Sequence, residues 1–318
     1  MTSLPTPLPT ALPAKPFSSP LPAETLRPLL TVRDLLRYAI SRFNAGQLFF
    51  GHGCVNAWDE ALYLLRHSLH LPDETLDALL DARVLDEERD YFTALVEARV
   101  ERRIPAPYLT HEAWLTGHRF YVDERVIVPR SFIAELIADD FAPWIDDPEA
   151  VESVLDLCTG SGCLAILAAL NFPNAAVDAV DISPEALAVA ERNRADYQLQ
   201  DQLSLIQSDL FTGLQQRRYD LIISNPPYVN AESMATLPAE YRAEPALALA
   251  SGQDGLDITR IILAQAKKHL TPDGILVVEI GHNREALEAA YPDLPFVWLE
   301  TASGNEFVFL LQADDLPA

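Results

Sequence analysis

Positive charge is scarce in this sequence. Its 318 residues carry 23 Lys plus Arg against 47 Asp plus Glu, a formal charge of −24. The deficit runs through both halves: residues 1–150 hold 14 basic and 23 acidic side chains, and residues 151–318 hold 9 and 24. An unaided grip on a phosphate backbone depends on clustered Lys and Arg, so this balance weighs against direct DNA binding and favours a basic partner. Cysteine is equally sparse. Cys54, Cys158 and Cys163 make an odd set at spacings that match no zinc pattern, which points to a reduced intracellular compartment and no metal site. The chain opens without a basic stretch followed by an apolar core, so no secretory signal is expected. The longest plain apolar run, Cys163 to Leu170, falls far short of the roughly 20 residues that span a bilayer. The expected setting is the cytoplasm, away from membranes.

What is present divides into four parts. Eight of the 24 prolines fall between Pro5 and Pro28, and residues 1–30 are expected to form a disordered tail. Residues 31–105 read as a small helical domain. Thr31 caps a first helix, with Asp34 three residues on and Leu35, Leu36, Ile40 and Phe43 at helical spacing. A second helix fits Ala57–Leu69, and a third and a fourth start at Asp73 and Asp86. The Gly51-His52-Gly53 turn reads as a loop rather than a ligand site. Residues 106–130 are expected to be a β-hairpin linker, with strands across Gly117–Val122 and Val126–Val128 and a turn at Asp123-Glu124-Arg125. Ser131 then caps a helix that runs through Phe141.

From Val151, within 131–318, strands and helices alternate. Strands are expected at Val154–Leu157, Ala176–Val180, Leu203–Ile206, Tyr219–Ser224 and Gly274–Ile280, with helices at Cys163–Asn171, Pro184–Tyr197, Gly255–Leu270 and Arg284–Tyr291. Two last strands, near Phe296–Leu299 and Glu306–Leu311, read as an antiparallel hairpin. The fold class is therefore α/β: a Rossmann-like, mostly parallel sheet with an antiparallel last strand, covered on both faces, behind a small helical domain.

The first strand turns into its helix through Asp156-Leu157-Cys158-Thr159-Gly160-Ser161-Gly162-Cys163. Gly160 and Gly162 permit a tight turn and a close ligand approach, and the freed helix-start amides offer an anion site. Alone, this also satisfies the relaxed dinucleotide fingerprint. Asp181, 19 residues after Gly162, is placed to accept ribose hydroxyls. Asp156 moves the choice from a nicotinamide cofactor to S-adenosylmethionine, because a carboxylate beside the loop attracts an ammonium and repels a pyrophosphate.

Ser224-Asn225-Pro226-Pro227-Tyr228 at the end of the fourth strand is the sharpest signal. Two prolines force the chain out of the sheet at its carboxyl edge, where open α/β sheets bind ligands. The Asn225 side-chain oxygen and the Pro226 carbonyl can both accept hydrogen bonds from one planar –NH2, and Tyr228 offers a face to stack on it. An amide nitrogen is a poor nucleophile because its lone pair is conjugated. Two acceptors on its hydrogens favour pyramidalisation toward a sulfonium methyl and stabilise the charge that develops. Asp209, in Ser208-Asp209-Leu210 after the third strand, falls near the adenine amine. Glu279 is either a support for the site or a satisfied carboxylate capping the following turn. Cys158 and Cys163 read as packing residues rather than nucleophiles.

These strings resemble the class I S-adenosylmethionine-dependent methyltransferases that modify amide or amino nitrogens, and more narrowly the HemK/PrmC/PrmB group of protein-glutamine methyltransferases. Val128-Pro129-Arg130-Ser131, Leu249–Asp257 and Glu279-Ile280-Gly281 add to the likeness, which runs from about Thr31 to Leu311. Phe50-Gly51-His52-Gly53 and Asn56–Ala61 bring it closest to the PrmB branch, from which Phe132 and Cys54 depart, since Pro and Thr are usual there. The resemblance implies S-adenosylmethionine as cofactor, held by Asp156, Cys158, Thr159, Gly160, Ser161, Gly162, Asp181, Ile182, Asp209, Leu210 and Asn225. It implies catalysis by Asn225, Pro226, Pro227 and Tyr228. It also implies methylation of a glutamine side-chain amide in large-subunit ribosomal protein three (uL3), a basic partner that suits the charge, with the helical domain as recognition module. The alternatives are glutamine methylation of release factors, amino-methylation of a base in DNA or RNA, a ribosome-assembly factor that only binds the donor, and a dinucleotide-dependent oxidoreductase. The last leaves Asn225–Tyr228 without a task.

Overall fold

The protein is described by a computed structural model over residues 26–72, 76–302 and 304–317. Most of the expected tail, and the expected start of a helix at Asp73, lie outside the described residues. The chain separates into two compact units, one ending at Leu109 and the other beginning at Thr110. Among the described residues no helix is long and apolar enough to cross a membrane.

The first unit is helical. Helix α1 (Val32–Gly46) opens with a reciprocal cap: the Asp34 amide donates to Thr31 Oγ1 at 3.2 Å, and the Thr31 amide donates to Asp34 Oδ2 at 3.0 Å. Helices α2 (Ala57–Leu69), α3 (Leu76–Leu79) and α4 (Asp86–Arg102) follow. Leu35, Ala39 and Phe43 of α1, Leu64 and Leu65 of α2, and Phe92 and Val96 of α4 recur at helical spacing and are fully buried together. Within this core Arg99 Nε donates to Glu60 Oε1 at 2.6 Å, with 0% and 2% of the two side chains exposed. Removing one partner of such a pair leaves an uncompensated charge in the interior. Arg99→Met is expected to cost about 3–5 kcal/mol of stability, and adding Glu60→Leu to recover most of it. Urea unfolding of both variants measures this, and equal losses in the single and double variants would show that the pair is not the cause.

The second unit begins with a hairpin that differs from the expected one. Strands β1 (Ala113–Leu115) and β2 (His118–Phe120) pair antiparallel, with Leu115 opposite His118. Thr116 and Gly117 make the two-residue turn at φ +47° and +80°, values that suit the twist of a tight hairpin. Residues 121–128 form no strand. The Asp123 carboxylate takes the Arg125 amide, the Arg125 guanidinium and the Tyr121 hydroxyl, while the Val128 amide donates to Glu244 Oε1 at 2.9 Å instead of to a ladder. Arg125 holds the Asp123 carboxyl well below its usual range, at about 2, although burial pushes the other way. Helix α5 (Ile133–Ala138) is shorter than expected, and Ser131 Oγ accepts from the Ile133 amide at its start.

The remaining elements alternate as expected: β3 (Ser153–Leu157), α6 (Cys163–Asn171), β4 (Ala176–Asp181), α7 (Pro184–Asp196), β5 (Leu203–Gln207), β6 (Tyr219–Ser224), α8 (Ala231–Thr236), α9 (Asp257–His269), β7 (Leu270–Glu279), α10 (Arg284–Ala290), β8 (Val297–Trp298) and β9 (Val308–Gln312). Helix α8 is the addition. Asn230 caps it, with its side-chain oxygen accepting from the Ser233 amide at 2.8 Å. The sheet order is β5-β4-β3-β6-β7-β9-β8, parallel except where β9 runs antiparallel to β7 and β8. Val154, Leu155, Leu221, Ile222, Ile223, Leu276 and Val277 are buried to the last atom, as the central strands of a sheet packed on both faces must be. The strand order reverses between β3 and β6. Loops leaving their carboxyl ends on opposite sides open a crevice there.

Candidate active site

The loop between β3 and α6 carries three residues with positive φ: Cys158 at +61°, Gly160 at +55° and Gly162 at +79°. A Cβ on Gly162 would stand 3.1 Å from the Ala190 Cβ, so glycine lets α7 pack against the loop. Gly160 has open space where its Cβ would be, on the side of the crevice. The Thr159 amide donates to the Val180 carbonyl at 2.9 Å. Asn193, 1% exposed on α7, donates to the Ser161 carbonyl at 2.9 Å and the Tyr121 carbonyl at 3.0 Å, and accepts from the Tyr121 amide at 2.7 Å. It locks the loop to the 121 segment. Nothing local in the sequence marks it for that role, since its partners lie 32 and 72 residues away.

Three carboxylates approach this loop in different ways. Asp181 accepts the Gly160 amide on one oxygen and the Ser183 amide on the other, both at 2.9 Å, and faces the crevice. Burial raises its pKa against those two bonds. Asp209, just after β5, is exposed on the rim and caps no helix with its side chain. Asp156 does not stand on the crevice wall. Its Oδ2 accepts from Thr159 Oγ1 at 2.5 Å and from the Ala165 amide at 3.1 Å, bracing the loop from beneath. Its Oδ1 is buried with no partner, an orphaned acceptor directly below the turn.

Burial pushes the Asp156 carboxyl up to about 7. A folded-state pKa above the unfolded value means that the native protein binds the proton first. The contribution of this group to stability therefore grows as pH falls from about 7 toward 4, by at most about 1.4 kcal/mol per pH unit. Asp156→Asn is expected to remove that slope, measured by thermal or urea unfolding across the window. Identical slopes in the two proteins would exclude Asp156 as its source. Burial also raises Cys158 and pushes Cys163 up to about 12, so neither thiol offers a thiolate near neutral pH, in keeping with packing roles.

At the end of β6, Ser224 Oγ donates to the Leu157 carbonyl at 2.9 Å, and the two prolines then lead the chain away from the sheet. Among the described residues no hydrogen bond engages the Asn225 side chain, and no donor reaches the Pro226 carbonyl. The loop itself is held firmly. Val229 exchanges backbone bonds with Leu249 and Ser251 at 2.8 and 2.9 Å, and the Tyr228 carbonyl accepts from Asn283 Nδ2 at 2.7 Å. Gly255, at φ +81°, lies so close that a Cβ there would be 2.3 Å from the Tyr228 carbonyl oxygen. The Leu249–Asp257 string is thus the outer brace of the proline kink. The Tyr228 ring lies against Gly281, and its hydroxyl donates to Glu279 Oε1 at 3.1 Å. Glu279 also accepts the Ser131 hydroxyl at 2.6 Å and the Phe132 amide at 2.9 Å. Glu279 is thus a satisfied carboxyl, but it does not cap the following turn; its partners are Ser131, Phe132 and Tyr228.

Two cavities open along the carboxyl edge of the sheet. The first brings together Cys158, Gly160, Asp181, Ile182, Asp209, Leu210, Asn225 and Pro227. Thr159, Ser161 and Gly162, like Asp156, shape the loop without reaching that wall. The second cavity holds Pro226, Tyr228, Arg130, Tyr241, His282 and Asn283. Asn225, Ile127 and Ala248 line both. The segment from Asn230 to Ala250 supplies much of each wall, including Leu247 and Ala248 on the first and Ser233, Leu237 and Tyr241 on the second. Its one sequence signal, Asn230 as a helix cap, is a weak one.

The family model described as the methyltransferase small domain matches residues 141–241. The chain is 58% identical over 298 residues to the ribosomal protein uL3 glutamine methyltransferase of Burkholderia pseudomallei, covering 92% of this chain and 97% of that one. To the protein of the same name from Bordetella pertussis it is 60% identical over 288 residues, with 91% and 97% covered. The protein of that name from Neisseria gonorrhoeae is 58% identical over 288 residues, with 91% and 96% covered. The chain belongs to the ribosomal protein uL3 glutamine methyltransferase family. Its mostly parallel seven-stranded sheet is a class I methyltransferase fold. The helical unit falls within the shared length, so this methyltransferase family includes both units. In this family member the Arg130 guanidinium meets Glu244, a partner that the sequence reading missed because 114 residues separate them.

Proposed function

We propose that this protein transfers a methyl group from S-adenosylmethionine to the side-chain amide nitrogen of a glutamine in ribosomal protein uL3, acting in the cytoplasm where ribosomes are assembled. The observation that carries the reading is Asn225: it lines two cavities at once and has a side chain that no other described residue engages. Of the three residues that line both cavities, Asn225 alone carries a polar side chain, at the boundary where a donor in the first and an acceptor in the second would meet.

The residues of the first cavity suit the donor. Asp181 keeps lone pairs for ribose hydroxyls, Asp209 offers an acceptor for an exocyclic amine, and Ile182, 49% exposed, offers an apolar face for a purine ring. Asp156, braced beneath the turn with one unpartnered oxygen, supports this wall from behind rather than lining it. The open space at Gly160 admits a ligand against the backbone. When bound, the donor supplies a methyl on a sulfonium.

In the second cavity the Asn225 Oδ1 and the Pro226 carbonyl accept the two hydrogens of the substrate amide. They draw its lone pair out of conjugation and aim it at the first cavity. Tyr228, fixed by Glu279, gives the amide plane a rigid neighbour. The methylated nitrogen is strongly acidic until it loses a proton, so water suffices as acceptor and no side-chain base is required. The acidic surface, −24 overall, speeds encounter with a basic ribosomal protein. Incubation with methyl-labelled S-adenosylmethionine and recombinant uL3, followed by mass spectrometry, tests the reading. It expects one methyl on one glutamine of uL3. Unlabelled uL3, whether the label appears on a release factor or on RNA offered in parallel incubations or on nothing, would overturn the substrate assignment.

A further inference from the structure

The second cavity has one guanidinium on its wall, that of Arg130. Its Nη1 donates to Glu244 Oε1 at 2.6 Å and to the Val128 carbonyl at 3.0 Å, and its Nη2 donates to Glu244 Oε2 at 2.8 Å. The pair is a bidentate fork, the strongest geometry in which arginine binds a carboxylate. The Glu244 side chain is wholly excluded from solvent, and its Oε1 also takes the Val128 amide. The guanidinium carbon stands 5.3 Å from the centre of the Tyr241 ring, on the same wall. A second buried carboxyl, Glu279, sits behind Tyr228 with hydrogen bonds to both of its oxygens. The other polar groups of the wall, Asn225, Asn230, Ser233 and Asn283, are neutral. His282 is the remaining ionisable side chain, besides the two tyrosines.

Glutamine and glutamate have the same shape, so packing cannot separate them. An arginine on the wall of a glutamine site would ordinarily invite the wrong one, because a guanidinium prefers a carboxylate to an amide. We infer that Glu244 is a specificity-determining residue: by occupying the Arg130 fork from within the protein, it makes the acceptor cavity admit a neutral glutamine side chain and reject glutamate. The rejection is electrostatic rather than steric: the acceptors on Asn225 and Pro226 already disfavour a carboxylate, and Glu244 preserves that preference by keeping the Arg130 charge occupied. This rests on the proposed glutamine methylation and names what selects the side chain.

The test uses the full-length enzyme, uL3, and a uL3 variant with glutamate at the position that mass spectrometry shows to be methylated. Affinities are measured with S-adenosylhomocysteine present and at one pH. The native enzyme is expected to bind the glutamate variant about 100-fold more weakly than uL3. In Glu244→Gln the freed guanidinium is expected to bring that ratio within about tenfold, mainly by tightening the glutamate variant. In Arg130→Gln/Glu244→Gln, where the wall carries neither charge, discrimination should fall between the two. Should Glu244→Gln fail to fold, the double variant still decides: a ratio equal to the native one overturns the inference. So does a Glu244→Gln enzyme that weakens toward both ligands alike. If the native enzyme does not methylate uL3, the substrate assignment itself fails. If it methylates uL3 but binds both ligands equally, this inference alone fails.

Discussion

Asn225→Ala is expected to lower the turnover number by about 100- to 1000-fold, the range seen when one preorganised partner of a developing charge is removed. Affinity for S-adenosylmethionine should stay within a few-fold. Asn225 makes up one boundary of the first cavity, whereas Cys158, Gly160, Asp181, Ile182, Asp209 and Leu210 line it independently of that side chain. The two readouts are a single-turnover methylation assay on uL3 and donor binding by calorimetry. Asn225→Asp is the informative companion. It keeps size and one acceptor but adds a charge beside the sulfonium, so it should retain donor binding and still turn over poorly. Near-normal turnover in the alanine variant would remove Asn225 from the reaction, and loss of donor binding in parallel would make it a donor residue only.

Gly255→Ala should lower turnover by about 100-fold, through geometry alone. A methyl group there would lie 2.3 Å from the Tyr228 carbonyl oxygen and 2.6 Å from Asn283 Nδ2, so the carbonyl, the asparagine or the loop must move. Displacing a reacting group by about 1 Å is enough to cost a factor of that size. The molecule contains its own control. Gly117 in the β1–β2 turn has φ +80°, against +81° for Gly255, but nothing lies within 4 Å of its missing Cβ. Gly117→Ala thus carries the same backbone strain, about 1–2 kcal/mol, without the collision. It should lower stability by that amount and leave kcat unchanged. Steady-state kinetics and thermal unfolding of the pair separate strain from crowding. Equal turnover in the two variants would show that the outer brace does not set the position of the proline kink.

The helices were legible where their signals are short-range. Thr31 with Asp34 and Asn56 with the Trp58 and Asp59 amides are caps that close within two or three residues, and α1 and α2 begin where those caps require. The alternation of β3 to β7 was legible for a similar reason: apolar runs of four to six residues, bounded by Gly, Pro or Asp, have few other places to go. The hairpin went astray because Val126-Ile127-Val128 looks like a strand to any local measure. Its amide donor goes instead to Glu244, 116 residues away, and no local pattern contains that competitor.

The candidate site divides along the same line. Asp181, Asp209 and Asn225 to Tyr228 stand out in the sequence because each follows a strand end, and glycine turns and proline kinks there are local events. Asp156, expected beside the ligand, lies beneath the loop and off the cavity wall. Its spacing from Gly160 says that it is near, and only the packing of α6 says that its side chain turns under the turn to meet the Ala165 amide.

By itself, then, the sequence determined the alternation of strands and helices from β3 onward apart from α8, the two loops at the sheet's carboxyl edge and the acidic character of the whole, since each is written in neighbours a few residues apart. The tertiary structure alone decided that Asn225 joins two cavities, that Glu244 occupies Arg130, and that Glu279 joins Tyr228 to Ser131, which lies 148 residues before it. Such partners are chosen by which strand ends the sheet brings side by side. That choice is made by the packing of the whole unit, in which sequence distance no longer counts.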